Sequence, residues 1–360
     1  MRALYEQISN KLYYIDFGQL WEGFERTDFA LYDQEWVYLK DGKIKKTDQF
    51  MGNTSINFEG KQVAIWHVTE TDHTSIDLLT SNIVHEMFHS YQLKAGETRF
   101  RSDLEGLAYP LDAVVLNMKK EAFMLLSKAC REVDLSKKYE ILKSFFSLRR
   151  YRFTLLGSYA DYEKSIETIE GSAEYIGLMV LKLINPTLYK EKVNKALNRL
   201  EALDQGFLEV RRIAYFSGMV LNLIADELGL KFKDKLEPNL PFICNRIDAQ
   251  VDSTIMASKW ASRDSRIDTL IMQREEMIRS EMNAVLNSSM CVEKSGQFKA
   301  KAYDPMNMKR LDRLVYHKHF LGVVDDNAKG DILIMKGPII AESDGKDFSS
   351  YHRLFYLEEE

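Results

Sequence analysis

Hydrophobic and polar positions change their spacing twice along this chain. Up to about residue 72, short apolar runs rich in β-branched and aromatic residues alternate with turn sequences, which predicts strands. Apolar residues then recur at three- and four-residue steps as far as about residue 290, which predicts helices. Short apolar runs return after that point. We therefore expect a β-rich part over 1–72, a helical core over 73–290 and a small β-rich part over 291–360.

The individual runs give the elements that we expect in each part. In the first part the strands are predicted over 29–33, 36–39 and 62–68. In the last part, apolar runs at 331–335 and 338–341 predict strands. In the helical core, periodicity and the placement of Pro and Gly predict helices over 75–94, 111–131, 137–153, 163–184, 186–204, 213–228 and 253–286.

Composition narrows the class of protein. The chain has 360 residues, of which 45% are hydrophobic and 29% charged, as in globular proteins with a large core. Its formal charge of -5 and isoelectric point near 5.9 argue against a nucleic-acid partner and against binding to a membrane surface, both of which need concentrated Lys and Arg. Composition makes no prediction of oligomeric state.

Targeting signals and cysteines point to the cytoplasm. The first residues contain no apolar stretch of the length that a signal peptide requires, and no later stretch reaches the ~18 apolar residues of a membrane span. Cys130, Cys244 and Cys291 are widely separated and odd in number, so we expect neither a disulfide framework nor a Cys-x-x-Cys metal site. We predict a cytoplasmic protein whose cysteines are packing residues.

The helix predicted over 75–94 contains the sequence His-Glu-x-x-His. His85 and His89 are the first and last residues of this motif, and Glu86 directly follows His85. Because an α-helix has 3.6 residues per turn, the two histidines project from one face and can reach one ion. Zinc favours imidazole and carboxylate ligands, and a catalytic zinc keeps one position for water. Glu86 can remove a proton from that water. The motif predicts a zinc site with two histidine ligands and Glu86 as the general base.

Two later sequences offer a third ligand. Glu170 lies in a helical pattern beside small residues, which we expect to let its helix approach the metal helix closely. Glu174, one turn later, can accept the outward N–H of a liganding histidine. Glu105 lies in a second Glu-Gly-x-Ala sequence, with only 15 residues between it and His89. We favour Glu170, because Glu105 has no acid one turn later and is followed by Pro110, which interrupts or starts a helix.

His-Glu-x-x-His followed by Glu-Gly-x-Ala-Glu-Tyr resembles the gluzincin branch of the zincin metallopeptidases. The resemblance implies a zincin-like α+β fold with a mainly helical catalytic core. It implies that His85, His89 and Glu170 bind zinc and that Glu86 is the general base. Gluzincins often have an acidic residue four positions after the ligand Glu, and Glu174 matches this position.

The resemblance covers roughly residues 60–230 and implies two further features. In gluzincins an edge strand near the metal helix pairs with an extended substrate, and 62–68 is the candidate for that strand. A tyrosine that stabilises the oxyanion is also common, for which Tyr215 is the candidate and Tyr175 its rival. The eighty residues between the two motifs, 90–169, exceed the spacing in many gluzincins, so we expect a helical insertion there.

These observations predict a zinc-dependent metallohydrolase, specifically a peptidase that takes a peptide or protein substrate. One rival is a hydrolase of the same fold that acts on a non-peptide bond. Another is a non-catalytic zinc-binding scaffold or pseudoenzyme, although such a protein has no use for a base at Glu86. The least specific interpretation is that the histidines and glutamates of the two motifs are only hydrogen-bonded or exposed and bind no metal. We expect this of the remaining histidines, which are His67, His73, His317, His319 and His352.

Overall fold

The computed structural model describes residues 1–252, 263–325 and 332–358 of the chain. In these ranges the fold is mixed α+β, with a five-stranded sheet, a group of long helices and a seven-stranded sheet. The helices are α1 (Arg2–Tyr13), α2 (Phe17–Leu20), α3 (Ile76–Lys94), α4 (Ala113–Arg131), α5 (Leu135–Leu156), α6 (Tyr159–Ile184), α7 (Pro186–Glu201), α8 (Val210–Glu227), α9 (Ile243–Asp248) and α10 (Ser265–Leu286). The strands are β1 (Asp28–Tyr32), β2 (Trp36–Leu39), β3 (Gly42–Lys45), β4 (Thr54–Phe58), β5 (Lys61–His67), β6 (Cys291–Tyr303), β7 (Met308–Leu311), β8 (Leu314–His317), β9 (Phe320–Asp325), β10 (Leu333–Lys336), β11 (Ile339–Glu342) and β12 (Ser350–Leu357).

The helices predicted in the central part are present. Six of the seven begin and end within four residues of the predicted positions. The seventh, predicted over 253–286, is described from Ser265 as α10, and residues 253–262 lie outside the described ranges. Helices α4 and α5 occupy the insertion expected over 90–169. No described helix is long and apolar enough to cross a membrane.

The first sheet has the strand order β3-β2-β1-β5-β4, in which β1 and β5 are parallel. The predicted strand 62–68 therefore lies inside the sheet as β5, and the prediction that it is an edge strand is wrong. Glu59 and Gly60 both have positive φ, at 51° and 78°, and form a tight hairpin turn. This turn folds β4 back against β5 and makes β4 the edge strand.

The N-terminal part also contains a helix that we did not predict. Helix α1 buries one side, with Leu4, Ile8 and Leu12 at helical spacing. Tyr5 stacks on Phe29 of β1 with ring centroids 4.3 Å apart. The first part of the chain is thus a small α+β unit rather than strands and loops alone.

Helix α3 packs against one face of this sheet. Phe29 and Leu31 of β1 point to that face and join Ile83, Met87 and Phe88 in the main hydrophobic core. Alternate residues of β1 point to the opposite face, as the period of two in a strand requires. The helix begins at its N-cap Ser75, whose hydroxyl accepts a hydrogen bond from the amide of Leu78. Packing against the sheet therefore fixes which face of α3 is buried, and the N-cap at Ser75 fixes where the helix begins.

Helix α6 runs between α3 and α8 and approaches both closely through glycines. At the α3 contact, the Ser81 hydroxyl donates a 2.8 Å hydrogen bond to the carbonyl of Gly177. At the α8 contact, a Cβ on Gly171 would lie only 2.6 Å from the Cα of Gly218. Gly171, directly after Glu170, therefore lies at the contact with α8, whereas the close approach to the metal helix α3 is made at Gly177, seven residues after Glu170.

Replacing Gly218 with alanine is expected to destabilise the protein by about 1–3 kcal/mol, because the new methyl group would meet backbone atoms that cannot move independently. Its Cβ would lie 2.6 Å from the carbonyl oxygen of Glu167. Urea unfolding measures the loss. Gly18→Ala is the control, since the nearest atom to its Cβ is a side-chain oxygen at 3.4 Å. Equal stability of the two variants would show that the helix crossing tolerates a side chain.

The second sheet has the order β10-β9-β6-β12-β11-β8-β7, and neighbouring strands are antiparallel. Helix α10 packs on one face through Ile278, Met282 and Val285, which contact Tyr316 and Ile340 of the sheet. The opposite face has a separate apolar core. The predicted β-rich C-terminal part is therefore present, as a sheet with its own two hydrophobic layers.

Acid is expected to weaken this C-terminal sheet through His317, which is buried and whose Nε2 lies 3.3 Å from the hydroxyl of Tyr351. Burial lowers the pKa of His317 to about 4. An unfolded histidine titrates near pH ~6.5, so the stabilisation is complete above that pH and is lost as the pH falls through about 4. At about 1.4 kcal/mol per pH unit, the loss is about 3 kcal/mol.

Urea unfolding of wild type and His317→Leu at several pH values between 7 and 4 measures this effect. The variant lacks the titrating group, so the difference in unfolding free energy between the two proteins should change with pH by about the same 3 kcal/mol. A difference that stays constant from pH 7 to pH 4 would show that His317 does not contribute to acid sensitivity.

Candidate metal centre

One face of α3 lines an open cleft of about 620 Å³. The residues on this face are spaced by three, one, three and four positions, so they form a single stripe along the helix. They are Asn82, His85, Glu86, His89 and Leu93. The other walls come from β4 and β5 of the first sheet, from α6 and α8, and from Pro305 in the β6–β7 loop.

Three side chains converge at the centre of this cleft. The Nε2 atoms of His85 and His89 lie 3.1 Å apart. The Oε2 atom of Glu170 lies 3.2 Å from His89 Nε2 and 3.7 Å from His85 Nε2. Tetrahedral coordination with bonds of about 2.0–2.1 Å places ligand atoms roughly 3.3 Å apart. The three residues therefore fit a tetrahedral metal ion, with one coordination position left toward the cleft.

Within the described ranges, no other group of three or more His, Cys, Asp or Glu side chains converges in this way. The structure thus brings the favoured residue Glu170 to the histidines and leaves its competitor elsewhere. Glu105 lies in the 3₁₀ turn Asp103–Ala108, with its side chain 44% exposed and 3.7 Å from Arg101 Nη1. It does not line the cleft.

The second oxygen of Glu170 is held by a cation. Its Oε1 accepts a 2.8 Å hydrogen bond from Arg211 Nη2, and Arg211 also pairs with Asp103. Burial acts to raise the pKa of Glu170, but His89, His85 and Arg211 outweigh it and hold that pKa well below its ordinary value. Glu170 is therefore an ionised carboxylate, the form in which it can ligate a metal.

Each histidine has a partner for its outward ring nitrogen. His85 Nδ1 lies 3.6 Å from Glu174 Oε1, and Glu174 in turn pairs with Lys192 of α7 at 2.8 Å. His89 Nδ1 lies 2.7 Å from the side-chain oxygen of Gln92. Partners of this kind set the orientation and tautomer of metal-binding histidines. Glu174 thus lies beside the outward nitrogen of His85 at an ion-pair distance, and Gln92 is an additional partner.

The adjacent carboxylate of Glu170 favours the protonated form of His89. Burial disfavours the imidazolium, yet Glu170 more than offsets this effect and raises the pKa of His89 to about 9. In the absence of an ion the two residues therefore form a charged pair. A divalent metal cation that takes the place of the His89 proton would keep positive charge beside the carboxylate of Glu170.

Glu86 lies beside the converging group without belonging to it. Its side chain lines the cleft and the residue is 8% exposed. Burial raises its pKa and outweighs the opposing effect of His85 and His89, while Glu170 and Glu174 act in the same direction as burial. A carboxylate with a raised pKa is a stronger proton acceptor, which is the property that a general base needs near neutral pH.

The two candidate tyrosines lie in different places. Tyr215 lines the cleft, and its hydroxyl accepts a 3.1 Å hydrogen bond from Arg211. Tyr175 is fully buried, with its ring against Phe232 and its hydroxyl 3.4 Å from Lys233. Of the two, only Tyr215 is placed to contact a molecule in the cleft.

Three residues of the site were not predicted from the sequence, namely Arg211, Gln92 and Lys192. A local signal existed for Gln92, which lies three positions after His89 on the same helix. Arg211 lies four positions before Tyr215, but nothing in its neighbourhood indicates a contact with Glu170. Lys192 reaches the site from α7, which depends on tertiary packing alone.

Comparison with known proteins gives no match for this chain among family models, curated proteins or solved structures. Any chemical role for the site must therefore be argued from its own residues and geometry.

Proposed function

We propose that this protein is a zinc-dependent metallohydrolase that cleaves peptides. The observation that carries the proposal is the convergence of His85, His89 and Glu170 at tetrahedral spacing, with the carboxylate of Glu86 beside them in an open cleft. A zinc ion bound by these three residues would polarise a substrate carbonyl and lower the pKa of a coordinated water.

The remaining chemistry belongs to side chains of the chain itself. Glu86 would accept the proton of the attacking water and later deliver it to the leaving amine. Tyr215 would donate a hydrogen bond to the oxygen that becomes negative in the transition state. Arg211 would keep Glu170 ionised and oriented, since it binds the carboxylate oxygen that faces away from the histidines.

We also propose a zincin-like fold of the gluzincin type for the part that holds the site. The order of elements supports this proposal: a sheet precedes the helix with His85 and His89, and the third ligand lies on a later helix. An extended substrate would pair with β4, the edge strand whose first residues line the cleft. Ser55 of β4 lies 2.7 Å from Ser90 of α3 between their hydroxyl oxygens, which fixes this strand beside the metal helix.

Two alternatives make different predictions. A hydrolase of a non-peptide bond would use the same metal and the same base, and it would differ in substrate only. A non-catalytic zinc-binding scaffold would have a closed site, because structural zinc is held by four protein ligands. The cleft-facing position of Glu86 and the three-ligand arrangement favour an enzyme over the scaffold.

Metal analysis followed by incubation with a quenched-peptide library tests the proposal. The purified protein should contain about one zinc per chain and cleave peptides, and a chelator should abolish cleavage that zinc then restores. Zinc without cleavage of any peptide would reject the peptidase and favour one of the alternatives. Cleavage that survives complete removal of metal would reject the metal-dependent mechanism.

A further inference from the structure

A second cavity, of about 370 Å³, is lined by residues of α5, α6 and α9. As the structure describes them, the linings of this cavity and of the metal cleft have no residue in common. Its volume lies in the range of about 300–1,000 Å³ that is typical of small-molecule sites. We propose that this space, termed the α5–α9 cavity, binds a small organic acid. The carboxylate would lie at Arg149 and Lys164, and the apolar body would lie against Phe146 and Phe153.

Arg149 is buried in the wall of the cavity and has hydrogen-bonding capacity left over. It is 3% exposed, and its Nη2 pairs with Glu167 of α6. Its Nε is buried and has no hydrogen-bond partner among the residues that the structure describes. Burial acts to lower the pKa of Arg149, but the carboxylate of Glu167 outweighs burial and raises it, so the guanidinium stays charged. An unsatisfied N–H is costly to bury, and an anion held against the guanidinium would offset part of that cost.

A second cation lies beside the same aromatic ring as Arg149. The centroid of the Phe153 ring is 4.7 Å from Arg149 Cζ and 5.0 Å from Lys164 Nζ. The Lys164 side chain is 16% exposed, whereas its partner Asp161, 3.1 Å away, is more exposed and lies outside the lining. Pairs with a solvent-exposed acid are weak, so Asp161 offsets little of the charge of Lys164 toward the cavity. Two cations beside one ring attract an anion more strongly than either alone.

The remaining charges of the lining do not cancel these two cations. Arg150 forms a bidentate pair with Asp248, with N–O distances of 2.7 and 2.9 Å. Three cations and one carboxylate therefore line the cavity. Glu167 lies outside the lining, and its other oxygen accepts a 2.6 Å hydrogen bond from the Ser217 hydroxyl. The excess of positive charge favours a ligand with a negative charge.

The apolar part of the wall favours an organic anion over an inorganic one. Phe146 and Phe153 of α5 line the cavity together with the buried thiol of Cys244. Burial raises the pKa of Cys244 to about 12, so the thiol is uncharged and behaves as a small apolar group. Thr154 and Asn245 also belong to the lining and are exposed, so the cavity opens to solvent beside them. An apolar ligand body would remove the phenyl rings from water, which an inorganic ion would not do.

Ligand-observed NMR titration of the full chain with benzoate, benzamide and acetate tests the proposal. Benzamide has the shape of benzoate without its charge, and acetate has the carboxylate without the ring. Benzoate should bind about 10-fold more tightly than benzamide, because hydrogen bonds between charged groups are stronger than those of a neutral amide. It should also bind about 10-fold more tightly than acetate, because its ring is buried against the apolar wall.

Two variants locate the binding. Lys164→Met removes one cation and should weaken benzoate binding about 10-fold, while benzamide binding changes by less than about threefold. Lys143→Met is the matched control and should bind benzoate like the wild type. Lys143 also pairs with an acid three residues earlier, Glu140, and it does not line the cavity. Thr154→Trp places a large ring at the exposed part of the lining and should abolish the binding of both compounds.

Arg149 is left intact in these experiments, because its removal would leave the buried carboxylate of Glu167 without its cation. Circular dichroism of each variant confirms its fold before binding is measured, and either Lys164→Met or Thr154→Trp still tests the proposal if the other variant fails to fold.

The titrations are repeated in the presence of a chelator, because a metal ion in the cleft can also bind a carboxylate. Benzoate binding in the α5–α9 cavity should be retained under these conditions, whereas complete loss of binding would place benzoate at the metal centre and overturn the proposal. Equal affinity for benzoate and benzamide, or for benzoate and acetate, would also overturn it. Benzoate binding of wild-type strength in Lys164→Met or in Thr154→Trp would do the same.

Discussion

Replacing Glu86 with glutamine is expected to lower kcat by about 100- to 10,000-fold while leaving the metal bound, because the amide cannot accept a proton from the attacking water. Glutamine has nearly the same size as glutamate, and Glu86 is not one of the three converging ligands. The raised pKa of Glu86, which is caused first by burial, makes its carboxylate a stronger base than an exposed one. The variant removes this property and little else.

Metal content and steady-state kinetics on the same preparations measure the effect. Glu105→Gln is a matched control, since it makes the same chemical change at an exposed carboxylate outside the cleft. We expect this control to retain wild-type kcat and wild-type metal. A kcat for Glu86→Gln within about threefold of wild type would remove Glu86 from the mechanism and move the search for a base to other cleft residues.

Hydrophobic periodicity was sufficient to predict amphipathic helices such as α4 and α7, because each buries one side and exposes the other. Helices α3 and α6 are buried on nearly all sides, and their apolar residues at three- and four-residue steps still indicated helices. The same signal was present in α1 through Leu4, Ile8 and Leu12, but the short apolar runs that follow it dominated the interpretation. The sequence therefore does contain a helical signal for α1, in the four-residue spacing of these three residues.

The position of β5 within the sheet could not be predicted from local sequence. Whether a strand lies at an edge depends on which other strands pair with it, and the β-branched and aromatic residues of β4 are separated by the turn-favouring Ser55 and Asn57. The hairpin at Glu59 and Gly60 was the available signal. A β-hairpin at this turn predicts that the segment before it is a strand paired with 62–68.

In the metal site, too, local sequence predicts some residues, whereas others are brought together only by tertiary packing. His85, Glu86 and His89 share one helix, so their spacing alone predicts that they face together. Glu170 required a comparison of two similar sequences, and the absence of a second acid beside Glu105 favoured the residue that the structure brings to the histidines. Arg211 lies on α8, and no sequence pattern predicts its contact with Glu170. That contact depends on how α8 packs against α6.

Loss of metal is the second large effect that we expect, and it should follow a graded order. Removing a ligand by His85→Ala, His89→Ala or Glu170→Ala leaves only two protein ligands, which should lower zinc affinity by more than about 100-fold. Removing Glu174, which contacts His85 but is not one of the converging ligands, should cost about 10- to 100-fold.

Competition with a chromophoric chelator at constant pH measures zinc affinity in each variant. Glu105→Ala serves as the control and should bind zinc like the wild type, because Glu105 is exposed and lies outside the cleft. The comparison of Glu170→Ala with Glu105→Ala decides the third ligand directly, since both lie in Glu-Gly-x-Ala sequences and both lose a carboxylate. If Glu170→Ala retained full affinity, the 3.2 Å approach of Glu170 to His89 would be an ion pair without a metal-binding role. The graded order matters as much as the individual values, because a mere fold defect would lower affinity in the Glu174 and Glu170 variants equally.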